Sequence, residues 1–322
     1  MRRSLLAAAC AGLALAGCSS SSPGTAPKEK VKGTLGLSVM TTTNPFFQEI
    51  ARAFEEEARK HGYRTVVVSG DEDVTRQQNQ VKDFLAQGVA AIVLCPHNSL
   101  AIGPAIKEAN DKGVPVFTAD LACLDKSVQV VSHIATDNYS GGKQAAQAMI
   151  EALGEVGGKV AILDFKTGES CILRVKGFKE VIEAHNHAGK GGNITIVAEL
   201  PADGKKDLGY KATQDALQAH PDLAGIFAIN DPSALGAVAA LEKANRASQV
   251  KIVAFDGQPE GKRAILDGKI YADPIQHPDE IGRKTVQVIV GYFQGETPPR
   301  EILIPTNLYR KADAMKEFSP GS

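Results

Sequence analysis

Residues 34–69, TLGLSVMTTTNPFFQEIARAFEEEARKHGYRTVVVS, contain the pattern that decides the fold. Residues 34–40 are a short apolar run typical of a buried strand, and residues 45–61 have the spacing of an amphipathic helix that ends at Gly62. A second run rich in β-branched residues, residues 64–69, follows directly. Strand, helix and strand in this order predict two parallel strands joined by a right-handed crossover.

The same alternation of strand and helix patterns extends along the rest of the chain. A first series ends with a predicted strand at residues 129–134, and the pattern restarts near residue 159. A final extended run follows at residues 302–309. Two successive series favour two doubly wound parallel-sheet lobes over one closed barrel, and therefore an α/β fold. In such sheets a ligand binds beyond the carboxyl ends of the strands, so the residues that follow each strand are candidates for a site.

Composition excludes several classes of function. The chain has 322 residues, 43% hydrophobic and 23% charged, with a formal net charge of −1, so no basic surface indicates nucleic-acid binding. After the first 27 residues no apolar run approaches the length that spans a membrane. Cys95, Cys123 and Cys171 lack C-x-x-C spacing, and no metal or redox site is expected. Free thiols are the first interpretation, and a Cys95–Cys123 bridge is the alternative.

The amino terminus has the features of a secretory signal. A basic head, Met1-Arg2-Arg3, precedes a short apolar run that ends in Leu15-Ala16-Gly17-Cys18. These four residues resemble the lipobox of bacterial lipoproteins, which implies a signal peptide over residues 1–17 and lipidation of Cys18. An ordinary signal cleaved after Ala16 or Gly17 is the alternative. Residues 18–31, rich in Ser and Pro, are predicted as a flexible tether. We therefore expect an extracytoplasmic protein, anchored by lipid to a bacterial membrane at the periplasm or cell surface.

The first strand ends in a segment that excludes a dinucleotide cofactor. Residues 41–47, TTTNPFF, contain no glycine, and a Rossmann site needs glycines there for the backbone to approach a pyrophosphate. No cofactor is expected. Instead Phe46 and Phe47 stand at the start of a helix, where a pair of aromatic rings suits the apolar face of a sugar. For Phe47, burial in the core is the alternative.

Polar side chains follow several other predicted strands. Asp120, Asn230, Asp256 and Gln276 stand at strand ends, and Arg174 lies in the first turn of a helix. Each alone could be a helix cap or a surface group, and Asn230 before Asp231-Pro232 has the pattern of a turn. Together they resemble a site for a polyol, because carboxylates accept from sugar hydroxyls while guanidinium and amide groups donate to them.

Five segments of the chain form a characteristic set: NPFF (44–47), SHIATDN (132–138), AHPD (219–222), Asn230-Asp231 and FDG (255–257). In this order they resemble the ribose-binding protein family, the periplasmic sugar-binding components of ABC importers. The resemblance implies a fold like that of type I periplasmic binding proteins, with two lobes joined by three crossovers that close on one monosaccharide. The implied sugar contacts are Asn44, Phe46, Phe47, Asp120, Arg174, Asn230, Asp256 and Gln276.

The resemblance also implies lobe boundaries and shows two departures. The amino-terminal lobe is expected to comprise residues 32–134 and 277–305, and the carboxyl-terminal lobe residues 135–276 and 306–322. An arginine and an aromatic residue that ribose binders use correspond to Leu121 and Gly204 here. A donor and a stacking wall are thus absent unless Phe165 or Tyr210 supplies the ring, which argues against ribose as the ligand.

The expected function is capture of a monosaccharide or sugar alcohol by hinge closure and delivery to an ABC permease with its ATPase. A monomer is expected. The alternative is a sugar sensor that presents its liganded form to a receptor kinase or chemoreceptor. An enzyme is not expected, because neither Gly-x-Ser-x-Gly nor His-Glu-x-x-His occurs. A repressor of the same fold would need a helix-turn-helix in place of the signal and tether.

Replacing Cys18 with serine is expected to release the protein from the membrane fraction or to block its processing. Only the thiol can form the thioether to the lipid, and a multiply acylated terminus is expected because one acyl chain binds membranes only marginally. Cell fractionation with immunoblotting measures the outcome. A Cys18→Ser protein that is processed and retained like the original chain would show that the lipoprotein interpretation is wrong.

Overall fold

The computed structural model describes residues 31–319. The predicted signal peptide (1–17), Cys18 and the tether up to residue 30 lie outside the described residues. Within residues 31–319, no helix combines the length and the apolar composition needed to cross a bilayer.

Helices and strands alternate along the described chain, as the periodicity predicts. In chain order they are β1 (Gly33–Val39), α1 (Pro45–Lys60), β2 (Tyr63–Ser69), α2 (Val74–Gln87), β3 (Ala91–Leu94), α3 (Gly103–Asp111), β4 (Val116–Ala119), β5 (His133–Thr136), α4 (Asn138–Leu153), β6 (Gly158–Asp164), α5 (Glu169–Ala188), β7 (Ile194–Pro201), α6 (Lys206–Ala219), β8 (Leu223–Ala228), α7 (Asp231–Lys243), β9 (Lys251–Val253), α8 (Pro259–Leu266), β10 (Ala272–Ile275), α9 (Pro278–Phe293), β11 (Glu301–Ile304), β12 (Asn307–Arg310) and α10 (Lys311–Glu317).

The strands form two six-stranded sheets. The first has the order β11-β5-β4-β3-β1-β2 and the second β12-β10-β9-β8-β6-β7. All pairings are parallel except that of β12 with β10. The chain passes between the sheets three times. The first passage is from β5 to α4, which packs on β8, β9 and β10, and the second is from β10 to α9, which packs on α1. The third is from β11 to β12. The predicted class, two doubly wound lobes joined by three crossovers, is confirmed.

The start of α1 shows how local chemistry fixes an element at the edge of the first sheet. Asn44 is the N-cap, and its Oδ1 accepts a hydrogen bond of 3.0 Å from the Phe46 backbone N–H. Pro45 occupies the first turn, where its missing N–H costs nothing. The helix then buries Phe46, Phe47 and Phe54 against the sheet. Because the cap directly precedes the two rings, both rings are held at the carboxyl end of β1.

The final extended run is divided in the structure, and one strand prediction differs from it. The run 302–309 is two strands, because Pro305 has no N–H to donate and the chain changes sheets there: Ile304 pairs with Thr136 and Asn307 with Ile275. Residues 129–132 precede β5 rather than belong to it. The backbone of Gln129 bonds instead to the side chain of Asn110 on α3.

All three described cysteines are free thiols, with Cys95 and Cys171 buried and Cys123 partly exposed. The first interpretation of the sequence is therefore confirmed, and the Cys95–Cys123 bridge does not form.

Helices α4 and α5 cross at glycines, which brings their backbones into contact. A Cβ atom on Gly142 would lie 2.1 Å from the carbonyl oxygen of Arg174, and one on Gly177 would lie 2.2 Å from that of Tyr139. No ordinary Cβ fits at these distances. The close crossing sets the position of Arg174, which faces the cleft between the sheets.

Gly142→Ala is expected to destabilise the protein by about 1–3 kcal/mol, since the added methyl group forces α4 away from α5. At an open site in a helix interior the same substitution would stabilise by about 1 kcal/mol, so the sign of the change is the test. Urea unfolding followed by circular dichroism measures it, with Gln147→Ala on the exposed face of α4 as the control. A more stable Gly142→Ala protein would contradict the close crossing.

Candidate ligand-binding site

A cavity of about 700 Å³ lies where the carboxyl ends of the strands of both sheets meet. The segments after β1, β2 and β4 contribute from the first lobe, and those after β6, β7, β8, β9 and β10 from the second. All eight sequence-predicted side chains line this single cavity: Asn44, Phe46, Phe47, Asp120, Arg174, Asn230, Asp256 and Gln276. Geometry thus brings the whole predicted set together.

Aromatic rings form part of the wall. Phe46 and Phe47 stand edge to face, with centroids 5.2 Å apart and an angle of 89° between their planes. Both are at least 95% buried, and both also belong to the core of the first lobe. From the second lobe Phe165 lines the cavity, whereas Tyr210 is not among the lining residues. Of the two rings considered as replacements for the missing aromatic, only Phe165 is at the site.

Arg174 is the centre of the polar wall, and its guanidinium is 3% exposed. Its Nε donates to Asn138 Oδ1 at 2.8 Å, and its Nη1 donates to the Ile229 carbonyl at 2.6 Å and to Asp256 Oδ1 at 3.0 Å. The guanidinium carbon lies 3.8 Å from the centroid of the Phe255 ring, a cation–π contact. These partners hold a cation away from water in one orientation.

Asp256 accepts from three side chains at once. Besides Arg174, Gln276 Nε2 donates to its Oδ1 at 2.6 Å and Gln258 Nε2 to its Oδ2 at 3.2 Å. Burial raises the pKa of Asp256, and these donors oppose the rise. Thr136 at the first crossover donates to Gln276 Oε1 at 2.7 Å, so the carboxylate is tied through Gln276 to this crossover.

Asp120 is a buried carboxyl group without a full set of partners. It has a φ of +65°, and no hydrogen-bond donor of the described residues reaches its Oδ1. Burial raises the pKa of Asp120 to about 7. The charge of Arg174 opposes this rise, and the negative charges of Asp256 and Glu169 add to it. An unpartnered carboxyl oxygen that lines the cavity is an acceptor for a ligand hydroxyl.

Asn230 has two roles. It is the N-cap of α7, with its Oδ1 accepting from Ser233 N at 3.1 Å, and it also lines the cavity. Its Nδ2 donates to the Gly204 carbonyl at 3.1 Å. Gly204 itself lines the cavity with a φ of +70°, and a Cβ atom there would lie 3.0 Å from Asn230 Nδ2.

Sequence reasoning missed Gln258. Its side chain donates to Asn44 Oδ1 at 2.9 Å and so joins the two lobes across the cavity. Its position two residues after the strand-end Asp256, at the same edge of the sheet, was the available signal. Within residues 31–319, no group of three His, Cys, Asp or Glu side chains is arranged to hold a metal ion.

Other contacts also cross the cleft beside the cavity. Lys205 pairs with Glu72, Ser99 N donates to the Thr167 carbonyl at 3.1 Å, and Ser99 Oγ accepts from Glu169 N at 3.1 Å. The lobes therefore touch on both sides of the cavity.

Sequence and structure comparisons agree with this architecture. The periplasmic binding protein domain family matches residues 35–297. The chain belongs to the periplasmic binding protein family. It is 38% identical over 82% of its length to the ribose import binding protein of Escherichia coli (strain K12), covering 86% of that protein. To the D-apiose import binding protein of Paraburkholderia graminis it is 33% identical, with 85% of this chain and 86% of that protein covered.

Among solved structures, an ABC transporter solute binding protein from Mycobacterium smegmatis with bound glycerol has a TM-score of 0.81 and 30% identity. The match covers 90% of this chain and 98% of that one. The resemblance to the ribose-binding protein family that the sequence indicates is confirmed at the level of the family.

Arg174→Met is expected to destabilise this periplasmic binding protein by about 3–5 kcal/mol, because Asp256 would be left as a buried charge without its cation. Asp256→Asn in the same chain is expected to recover part of the loss, which a double-mutant cycle by urea unfolding measures. Lys107→Met, which breaks the exposed pair with Asp111, is the control and should cost less than about 1 kcal/mol. Equal costs for Arg174→Met and Lys107→Met would contradict the assigned ion pair.

Proposed function

We propose that the protein captures one neutral monosaccharide or sugar alcohol outside the cytoplasm and delivers it to an ABC permease with its ATPase. The observation that carries the proposal is the convergence of eight polar and aromatic side chains on one cavity between two lobes. Family membership supports it, and so do the relatives, which are named as import binding proteins for ribose and apiose.

The chemistry of the cavity favours a polyhydroxylated ligand. Asp120 and Asp256 accept hydrogen bonds, Arg174 and the amides of Asn230 and Gln276 can donate, and a sugar hydroxyl does both. The charge of Arg174 is already balanced by Asp256, and Asp120 adds a second carboxyl group. The centre of the cavity therefore favours a neutral sugar over one that carries a phosphate or a carboxylate.

We propose further that ribose is not the preferred ligand, and that it binds at least tenfold more weakly than the physiological one. Leu121 gives the cavity an apolar edge in place of a donor, and Gly204 supplies no ring, while Phe165 contributes a ring elsewhere on the wall. A lost charge-assisted hydrogen bond and a lost stacking face are worth about 1.5–3 and 0.5–1.5 kcal/mol. A hexose, a deoxysugar or a linear polyol fits the altered wall better.

Binding is proposed to close the two lobes, residues 32–134 with 277–305 and residues 135–276 with 306–322, by rotation at the three crossovers. Contacts such as Asn44–Gln258 and Glu72–Lys205 support closure, because they join opposite lobes at the rim of the cavity. Cys18 is proposed to hold the monomer at the membrane through its lipid. The relatives, which are named as import binding proteins, support import over sensing and binding over catalysis.

A thermal-shift screen of pentoses, hexoses and polyols tests the proposal. A ligand at a hundred times its dissociation constant adds about 2.7 kcal/mol, which corresponds to a rise of about 5–10 °C for lobes of this size. A hexose, deoxysugar or polyol is expected to give the largest shift. Ribose as the strongest hit, verified by titration calorimetry, would contradict the interpretation of Leu121 and Gly204.

Substitutions of residues that line the cavity test whether the thermal shift comes from binding there. Arg174→Ala and Asp256→Ala should lower affinity for the best hit by about 30- to 1,000-fold, or about 2–4 kcal/mol, while Lys107→Met keeps it. Circular dichroism shows whether each variant folds. No shift with any neutral sugar, or full affinity in both cavity variants, would overturn the proposed function.

A further inference from the structure

Two carboxyl groups are fully buried behind the cavity wall and do not line it. Asp231 lies in the first turn of α7 and Asp273 in the middle of β10, and their residues are 1% and 0% exposed. The binding site described above uses neither. Burying two aspartates without a cation bonded to either is costly, so their arrangement requires an explanation.

Each of these carboxyl groups holds one of two consecutive backbone amides. Asp273 Oδ2 accepts from Gly257 N at 3.0 Å, and Asp231 Oδ2 accepts from Gln258 N at 2.7 Å. These amides directly follow Asp256, whose φ of +116° is strained for a residue with a side chain. The pair thus anchors the loop 256–258 that carries two side chains of the cavity, those of Asp256 and Gln258.

The second oxygen of each carboxyl group lacks a donor, which indicates that the two groups share a proton. Oδ1 of Asp231 and Oδ1 of Asp273 are both buried, and no N–H or hydroxyl group of the described residues reaches either. Since the two groups accept from consecutive amides, they are neighbours, and the charge of Asp273 adds to burial in raising the pKa of Asp231. Two neighbouring carboxyl groups can hydrogen-bond to each other when one of them is protonated.

The surroundings offer little to stabilise a second negative charge. The charged groups that act on the pair are Asp256, which opposes ionisation, and Arg174, which favours it for Asp273. From α8 the facing residue is Gly261, where a Cβ atom would lie 2.1 Å from Asp231 Oδ1.

The other charged or titratable groups nearby are engaged elsewhere. On α8, Lys262 pairs with Glu317 and Arg263 lies over the Phe318 ring. On β12, Tyr309 is opposite Asp273 in the register, and its hydroxyl donates to Glu317. Burial therefore raises the pKa of Asp273 to about 7 and that of Asp231 well above its ordinary range.

We propose that Asp231 and Asp273 form one carboxylic acid–carboxylate pair that positions the Gly257–Gln258 backbone, and that ionisation of both groups releases this backbone. The two aspartates are positioning residues, because they act on the cavity through the loop and not on the ligand. The direction of the pH dependence follows from the raised pKa values of the pair. Stabilisation by the pair is fully present below the ordinary aspartate pKa of about 4 and is lost as the pH rises through the pKa values of the folded pair, about 7 and above.

Ligand-free protein tests the inference, so the outcome does not depend on whether the proposed function is right. Carboxyl ¹³C NMR should show at least one group of the pair still protonated at pH 6. Hydrogen exchange of the backbone amides, measured by NMR and corrected for intrinsic base catalysis, should show that the protection of Gly257 and Gln258 falls as the pH rises from about 6 to about 9. The fall should be at least about tenfold, because a shift of one pKa unit corresponds to a tenfold change in the equilibrium.

Asp231→Asn is the decisive variant, because an amide keeps the acceptor for Gln258 N and supplies a permanent donor to Asp273. It should retain the protection of both amides and lose the dependence on pH. Asp273→Asn, which keeps the acceptor for Gly257 N, should behave in the same way. Asp120→Asn is the matched control: Asp120 also has a pKa of about 7 but does not bond to the loop, so the variant should keep the pH dependence of the original chain.

Three results would overturn the inference. One is titration of both aspartates near pH 4 in the original protein. Another is a fall in protection that is the same in Asp231→Asn as in the original chain. The third is loss of that fall in Asp120→Asn. Should both asparagine variants fail to fold, which circular dichroism detects, the titration of the original protein decides.

Discussion

The buried guanidinium of Arg174 is the interaction on which the site depends. It joins the start of α4 through Asn138, the end of β8 through the Ile229 carbonyl and the end of β9 through Asp256, and it stacks on Phe255. A cation can remain in this position only while all these partners are present, since each replaces part of its lost hydration. The close crossing of α4 and α5 brings the arginine to them. Packing in the helix layer therefore sets the polar geometry of the cavity.

The same guanidinium is surrounded by more carboxyl groups than it can balance. Asp120, Asp231, Asp256 and Asp273 are all buried within one region, and burial raises the pKa of each. Four negative charges around one cation would be strongly unfavourable in a region that excludes water. Protons retained by some of these groups bring the region close to neutral. A neutral ligand rich in hydroxyl groups is the kind of molecule that such a polar, nearly neutral cavity suits.

The sequence predicts the architecture and much of the cavity for a specific physical reason. Strand and helix periods are local, and in parallel sheets the residues after each strand must meet at one edge, so Asp120, Asn230 and Asp256 could be placed without coordinates. Asp273 could not, because it lies inside a strand, where no local pattern marks a functional residue. Its partner Asp231 is 42 positions away, in a segment that has the sequence pattern of a turn and begins α7 in the structure. Pairing over that separation depends on the packing of α7 against the sheet.

Closure of the lobes depends on what occupies the cavity. The direct contacts across the cleft are few: hydrogen bonds such as Gln258 to Asn44, each worth about 1 kcal/mol net, and the partly exposed Glu72–Lys205 pair, worth about 1 kcal/mol or less. Closing an empty cleft also strands the unpartnered oxygen of Asp120, at a cost of about 1–3 kcal/mol. These terms nearly cancel. A ligand hydroxyl that donates to Asp120 removes the cost and leaves the gains, so the ligand determines which arrangement of the lobes is more stable.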